Sequence, residues 1–146
     1  MPLVIDESIA IAAPPEAVWR LLEDPASWKA WWPACVEART VDRRAIRDGS
    51  ILELALRPSW MTLKFKPRVE AATPGKHLIW VGQGGGVTGR HAFYLDRRPD
   101  GTLVRQQETF SGPGVLVMRL LGQVEATRRM FRDNLKGLKR LAERAL

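Results

Sequence analysis

Residues 4–33, VIDESIAIAAPPEAVWRLLEDPASWKAWWP, decide the order in which this chain begins to fold. Val4 to Ile11 alternate apolar and polar side chains, which is typical of a strand with one buried face. Pro15 suits the first position of a helix, where its missing N–H costs nothing. Asp24 is a good N-cap and Pro25 a good first residue for a second, shorter helix. The stretch therefore predicts a strand followed by two helices, the second closed by the final proline.

Three tryptophans lie on the second predicted helix. Trp28, Trp31 and Trp32 stand at i, i+3 and i+4, so their indoles share one face. A helix of about seven residues has little room to bury three indoles beside one another. We therefore expect one or two of them to lie at the entrance of a pocket, whereas Trp19 on the first helix belongs to the core.

The bulk properties predict a single domain, residues 1–146, in the cytoplasm. Cys35 is the only cysteine, and no Cys/His cluster has the spacing of a metal site, so we expect neither a disulfide nor a bound metal. The N-terminal residues lack the pattern of a signal peptide, and no apolar run reaches the roughly 20 residues of a membrane helix. We expect no stable membrane insertion.

The net charge of +7 is concentrated in the last part of the chain. Between Gly114 and Leu146, eight basic residues stand against three acidic ones. This excess is typical of the solvated face of an amphipathic helix. A nucleic-acid site would interleave aromatic residues with the basic ones, yet Phe131 falls on the apolar side, so we expect no nucleic-acid partner.

The middle of the chain predicts strands separated by turn residues. They lie at 36–42, 50–56, 61–69, 78–82, 87–96 and 102–110. Pro67 interrupts the third of these and indicates an edge or a bulge. The glycines at 82–89 lack the Lys and the following helix of a phosphate-binding loop, so they predict a flexible hairpin beside the pocket. After Gly114, helical spacing of apolar residues predicts one helix of about thirty residues, roughly 45 Å long.

The turn at 98–101 sets the register of the last hairpin. Pairing Arg97 with Thr102 places Phe93 opposite Gln106 and His91 opposite Glu108 on the covered face of the sheet. His91 and Glu108 become direct neighbours with Cβ atoms about 5 Å apart. A buried imidazole beside a carboxylate is a plausible proton-transfer unit.

The order of these elements resembles the helix-grip fold of the START-like, or SRPBCC, superfamily, in particular bacterial members of the polyketide cyclase/dehydrase or lipid-transport type. The resemblance covers essentially the whole chain and is carried by residues 13–19, 28–33, 78–82, 91–95 and 108–112. It implies an α+β fold in which a curved antiparallel sheet of six to seven strands wraps a long C-terminal helix, with two short helices after the first strand. It also implies a cavity between sheet and helix for an apolar or amphipathic ligand. It does not assign a reaction.

Two functions remain open on this reading. The first is binding of a lipid-like or polyketide-like molecule without a cofactor, by a monomer or homodimer. The second is an acid–base enzyme of the cyclase or dehydratase type, with His91 and Glu108 as candidate catalytic residues. In the first case the two side chains only satisfy each other or orient the ligand. A protein-interaction role would require a large exposed apolar patch.

The candidate ligand-contacting residues are large apolar side chains and one amide. They are Trp28, Trp32, Trp60, Phe65, Trp80, Phe93, Gln106, Phe110, Leu120 and Val124. Cys35 is expected to be a small buried hydrophobe instead of a nucleophile.

Overall fold

Eight strands and four α-helices form within residues 2–144, the part of the chain that is described by a computed structural model. The strands are β1 (Leu3–Ile11), β2 (Cys35–Thr40), β3 (Leu52–Leu56), β4 (Leu63–Phe65), β5 (Arg68–Thr73), β6 (His77–Gly84), β7 (Val87–Arg98) and β8 (Gly101–Ser111). The helices are α1 (Pro15–Glu23), α2 (Trp28–Trp31), α3 (Val115–Leu120) and α4 (Gln123–Arg144), and a single 3-10 turn (Pro25–Ser27) precedes α2.

The strands form two antiparallel sheets. One has the order β1-β8-β7-β6-β5, and the other has the order β2-β3-β4. The α+β helix-grip class predicted from the sequence is confirmed, although the described residues hold eight strands instead of six to seven. The additional strand arises because the predicted strand 61–69 is two strands, β4 and β5, which belong to different sheets.

Pro67 lies at the seam between the two sheets. It has no N–H to donate to a ladder, so the strand ends there, but its carbonyl accepts a hydrogen bond from the Leu52 amide at 2.9 Å. The Val69 amide donates to the Ser50 carbonyl at 2.8 Å, which ties β5 to the residues just before β3. The two sheets therefore meet along one edge and enclose a common interior.

The opening stretch folds as its prolines and its aspartate predict. Pro15 is the first residue of α1, and the Asp24 carboxylate accepts a hydrogen bond from the Ala26 amide at 3.1 Å. The expectation that so short a helix lacks room to bury three indoles was wrong, because Trp28, Trp31 and Trp32 are all buried. Trp28 and Trp32 both stack on Trp80 of β6, and Trp31 stacks on Trp32, so a residue of the sheet covers this cluster.

The C-terminal helix is not continuous. It breaks after α3 at Gly122, whose φ of 70° is left-handed and ends the helical ladder. The expected single helix of about thirty residues is thus a short helix followed by one of 22 residues. Phe131, Leu135 and Leu138 of α4 are buried against the sheet and α2, as the helical spacing predicts.

No helix between residues 2 and 144 combines the length and the apolar character that crossing a bilayer requires.

Candidate functional site

A cavity of about 540 Å³ lies between the two sheets and the pair of helices α3 and α4. Its walls are mostly aliphatic and aromatic, with glycines at one end. The lining comprises Trp32, Leu54, Leu56, Pro58, Leu63, Phe65, Pro67, Trp80, Gly82, Gln83, Gly84, Gly85, Val87, Gly89, His91, Glu108, Phe110, Gly114, Val117, Met118, Leu121, Gln123, Ala126, Thr127, Met130 and Phe131. Volume and lining are those of a pocket for a small apolar ligand, which in proteins spans roughly 300–1,000 Å³.

A second depression, of about 750 Å³, lies on the outer surface between α1 and the turn joining β5 to β6. It is bordered by charged side chains such as Arg20, Lys76 and the Glu16–Arg97 ion pair. Because charged side chains border it and it lies on the outer surface, it is a surface groove, and the more apolar cavity between sheets and helices is the better candidate site.

Two glycines give the cavity its depth beside Glu108. Gly82 of β6 and Gly89 of β7 are paired across the sheet, and both line the cavity. A Cβ on Gly89 would lie 2.5 Å from Oε2 of Glu108, so the carboxyl group occupies the space above this glycine. Gly89 therefore permits the observed position of the Glu108 side chain.

The predicted register of the β7–β8 hairpin is confirmed. Arg97 pairs with Thr102, Phe93 with Gln106 and His91 with Glu108.

The His91 ring is held by groups other than Glu108. It stacks on Trp80 with ring centroids 4.2 Å apart, and its Nε2 accepts a hydrogen bond of 2.9 Å from the Gln106 amide nitrogen. Because Nε2 accepts this hydrogen bond, the neutral ring carries its proton on Nδ1. Nδ1 has no hydrogen-bond partner among the described residues. Within residues 2–144, no side-chain hydrogen bond joins His91 to Glu108, although the two residues are direct neighbours in register.

Burial shifts the pKa values of His91 and Glu108 in opposite directions. Desolvation lowers the pKa of His91 to about 3, so the imidazole is neutral at physiological pH. Desolvation raises the pKa of Glu108 to about 7, so this carboxyl exchanges its proton near neutrality. Of the two groups, Glu108 is the one whose charge changes in the physiological range.

The candidate ligand-contacting residues divide into two groups. Trp32, Phe65, Trp80 and Phe110 line the cavity, as do His91 and Glu108.

The other candidates lie outside the lining. Trp28, Phe93 and Gln106 are fully buried behind it, because neighbouring rings and the His91 imidazole cover them. Trp60 and Leu120 are exposed at the surface and are not among the residues that line the cavity. Val124 is half-buried and follows Gln123 of the lining, but it is not itself a lining residue.

The sequence reading missed several lining residues. Leu54 and Leu63 come from the small sheet, and Met130 comes from α4. The alternation around Leu63 predicted a buried face. It could not predict what that face packs against, because the chain passes from one sheet to the other at Pro67. Val117, Met118 and Leu121 line the cavity from α3 and the residue just after it.

Nucleophilic and metal chemistry find little support in the described residues. The Cys35 thiol is buried, and desolvation raises its pKa to about 11, which keeps it protonated. No three His, Cys, Asp or Glu side chains between residues 2 and 144 group closely enough to hold a metal ion.

Comparison with known proteins adds a family and a set of similar folds. A family model described as polyketide cyclase / dehydrase and lipid transport matches residues 2–143. The Zhui aromatase/cyclase from Streptomyces sp. R1128 is similar in structure, with a TM-score of 0.81 and 14% sequence identity, over 99% of this chain and 95% of that chain. The protein TTHA0849 from Thermus thermophilus is similar with a TM-score of 0.78 and 18% identity, over 98% of this chain and 99% of that one.

The di-domain ARO/CYC StfQ from the steffimycin biosynthetic pathway is also similar, with a TM-score of 0.76 and 12% identity, over 99% of this chain and 50% of that chain. At these identities the structural similarity establishes the fold alone. No curated protein matches the chain in sequence.

Proposed function

Because this chain belongs to the polyketide cyclase/dehydrase and lipid transport family, we propose that it binds a small hydrophobic or amphipathic molecule in the cavity between its sheets and helices α3 and α4. The ligand class is a lipid-like or polyketide-like molecule whose apolar body fills the cavity. Its polar group faces Glu108, the one acidic side chain in the lining.

The observation that carries this proposal is the cavity itself. Its volume of about 540 Å³ and its aliphatic and aromatic walls match a ligand of moderate size. Removing apolar ligand surface from water is favourable by roughly 25 cal/mol per Å², and the preformed walls limit the ordering cost of binding.

A cavity-filling substitution tests the proposal. Ala126 lines the cavity from α4, so Ala126→Trp places an indole in the ligand's volume. We expect the variant to bind an apolar fluorescent probe, N-phenyl-1-naphthylamine, at least roughly tenfold more weakly than the unmodified protein. Ala30→Trp, at an exposed position of α2 outside the lining, is the matched control and should bind normally.

Native mass spectrometry of the freshly purified protein, followed by a binding screen of lipid extracts, identifies the ligand class. Equal probe binding by Ala126→Trp and the control, or no retained or bound apolar molecule at all, would contradict the proposal.

The second candidate function is acid–base catalysis on a carbonyl substrate, and the raised pKa of Glu108 favours it. A carboxyl group that titrates near pH 7 inside a water-poor cavity is suited to donate and remove protons during cyclisation or dehydration. In this version Glu108 transfers the proton, while His91, neutral and bonded to Gln106, positions the substrate. Full turnover by a Glu108→Gln variant would rule it out.

A further inference from the structure

The exposed apolar side chains of this protein are concentrated around the entrance of the cavity. Eight of the twelve large apolar side chains that are exposed in the described part of the chain fall in two short segments, 57–66 and 114–122. We call these two segments the entrance patch. Trp60 and Leu120 are the most exposed, at 78% and 76%.

The two segments face each other across one opening. Leu63 and Phe65 from the first segment, and Val117 and Leu121 from the second, are exposed to solvent and also line the cavity. A side chain that does both lies at the boundary between cavity and solvent. The patch therefore borders the opening from two sides, whereas the other four exposed apolar side chains lie on β1, β2 and the β2–β3 connection.

The charge of the entrance patch has one sign. It contains Arg57, Lys64, Lys66 and Arg119, and neither segment contains an acidic residue. None of these four cations forms a salt bridge within residues 2–144, although ten salt bridges occur elsewhere in that range. An apolar rim with free cations beside it complements a surface that is apolar inside and negatively charged outside.

We propose that the entrance patch docks on the surface of an anionic lipid bilayer and places the cavity opening against the lipid. Trp60 and Leu120 enter the interfacial layer, and the four cations contact lipid phosphate groups. Docking is peripheral, because α3 has only six residues and no described helix can span a bilayer.

A second copy of this chain fits the patch less well than a bilayer does. An isologous dimer through this surface would bring two sets of four unpaired cations together, and like charges across an interface oppose association. A bilayer with anionic headgroups neutralises the same charges.

The proposal goes beyond ligand binding and does not require an occupied cavity, since Trp60 and Leu120 lie outside the lining. Together, the two proposals imply that an apolar ligand passes between bilayer and cavity without crossing water. They fail separately, because Ala126→Trp fills the cavity and keeps Trp60, Leu120 and the four cations of the entrance patch in place.

Vesicle binding tests the docking surface directly. We expect the protein to co-sediment with phosphatidylcholine vesicles containing about 30% phosphatidylglycerol at least roughly tenfold more strongly than with pure phosphatidylcholine vesicles, and to be released by about 0.5 M NaCl. The apolar variant Trp60→Ser/Leu120→Ser and the charge variant Lys64→Glu/Arg119→Glu should each lose roughly tenfold or more in binding.

Each variant has a matched control on another surface. Val36→Ser/Val41→Ser removes two exposed apolar side chains from the β2 region, and Arg20→Glu/Arg140→Glu reverses two exposed charges on α1 and α4. Both controls should bind within about twofold of the unmodified protein. Thermal unfolding of all four variants verifies that they fold.

Tryptophan fluorescence reports the depth of docking, because Trp60 is exposed and the other five tryptophans are buried. Brominated lipids in anionic vesicles should quench the emission of the unmodified protein. They should quench Trp60→Phe much less, although this variant still co-sediments.

Equal binding to neutral and anionic vesicles, no binding to either, or an equal loss in the control variants would overturn the proposal. A dimer in light scattering that becomes a monomer in Trp60→Ser/Leu120→Ser, without vesicle binding, would assign the patch to a second copy. Capture of an acidic protein in the absence of vesicle binding would likewise overturn it.

Discussion

At the scale of single residues, Glu108 is the most unusual side chain in the protein. It lies in an apolar cavity, above Gly89, and its neighbour His91 is bonded to Gln106 instead of to it. Burial therefore acts on the carboxyl without compensation by a cation, and its pKa rises to about 7. A ligand that places a hydrogen-bonding or cationic group beside Glu108 would change the pKa of this carboxyl.

Glu108→Gln should change how stability depends on pH. The carboxyl has a pKa of 4.5 when exposed and about 7 in the folded protein, so between these values the folded state binds the extra proton. Raising the pH through this window destabilises the unmodified protein relative to the variant, by on the order of 3 kcal/mol once the pH exceeds 7. Urea unfolding of both proteins from pH 4.5 to 8 measures the difference.

Comparing the two proteins also removes the contribution of His91. Because the pKa of His91 is about 3 in the folded protein and 6.5 when exposed, the free energy of unfolding rises with pH between these values. This contribution is the same in both proteins, so it cancels in the difference. Val36→Ser, at an exposed position of β2 that carries no titratable group, is the control, and its difference in stability from the unmodified protein should stay constant with pH. A stability difference that stays constant from pH 4.5 to 8 would mean that the Glu108 carboxyl is hydrated in the folded protein.

At the scale of elements, two glycines of the predicted C-terminal helix have opposite effects on it. Gly137 interrupts the pattern of helix-favouring residues, yet α4 continues through it. A glycine is needed at this position because a Cβ would lie 2.2 Å from the Trp31 carbonyl oxygen. Gly122 looks like an ordinary position in the pattern, yet it carries the left-handed conformation that separates α3 from α4. Helical spacing alone does not distinguish a glycine needed for close packing from one that ends a helix.

Gly137→Ala should destabilise the protein despite improving helix propensity. Alanine is intrinsically better than glycine in a helix by about 1 kcal/mol. The contact with the Trp31 backbone should outweigh this gain, because α2 or α4 must shift, and we expect a net loss of about 1–3 kcal/mol in thermal or chemical unfolding.

Arg140→Ala, an exposed site on the same helix, is the control and should change stability by less than about 0.5 kcal/mol. If Gly137→Ala is as stable as the unmodified protein, the close approach of α2 and α4 is not tight.

At the scale of the whole molecule, the cavity is enclosed by parts of unequal stability. The five-stranded sheet forms one wall, with long strands such as β7 and β8. The opposite rim consists of the three-residue β4 and the six-residue α3, both largely exposed. Few buried contacts mean that the rim opens at lower free energy than the sheet.

Amide hydrogen exchange should show this difference. We expect α3 and β4 to exchange much faster than β1 and β8, and an apolar ligand that fills the cavity to slow exchange in α3 and β4 most strongly. Exchange measured with and without N-phenyl-1-naphthylamine tests this. Uniform slowing across the sheet would mean that the ligand stabilises the protein globally and not through the rim.

The sequence alone determined the order of the elements, the capping of the early helices and the register of the β7–β8 hairpin, including the neighbours His91 and Glu108. These features depend on residues close together in the chain, through proline and aspartate geometry, turn chemistry and side-chain period.

Only the tertiary structure decided that Trp28, Trp31 and Trp32 are all buried and that Trp60 and Leu120 are exposed. It also decided that the His91 ring bonds to Gln106, while no described residue forms a side-chain hydrogen bond with the Glu108 carboxyl. The reason is physical: burial, stacking and pKa arise from groups brought together from distant parts of the chain, such as Trp80 against Trp28. Periodicity identifies the buried face of an element but not what covers it.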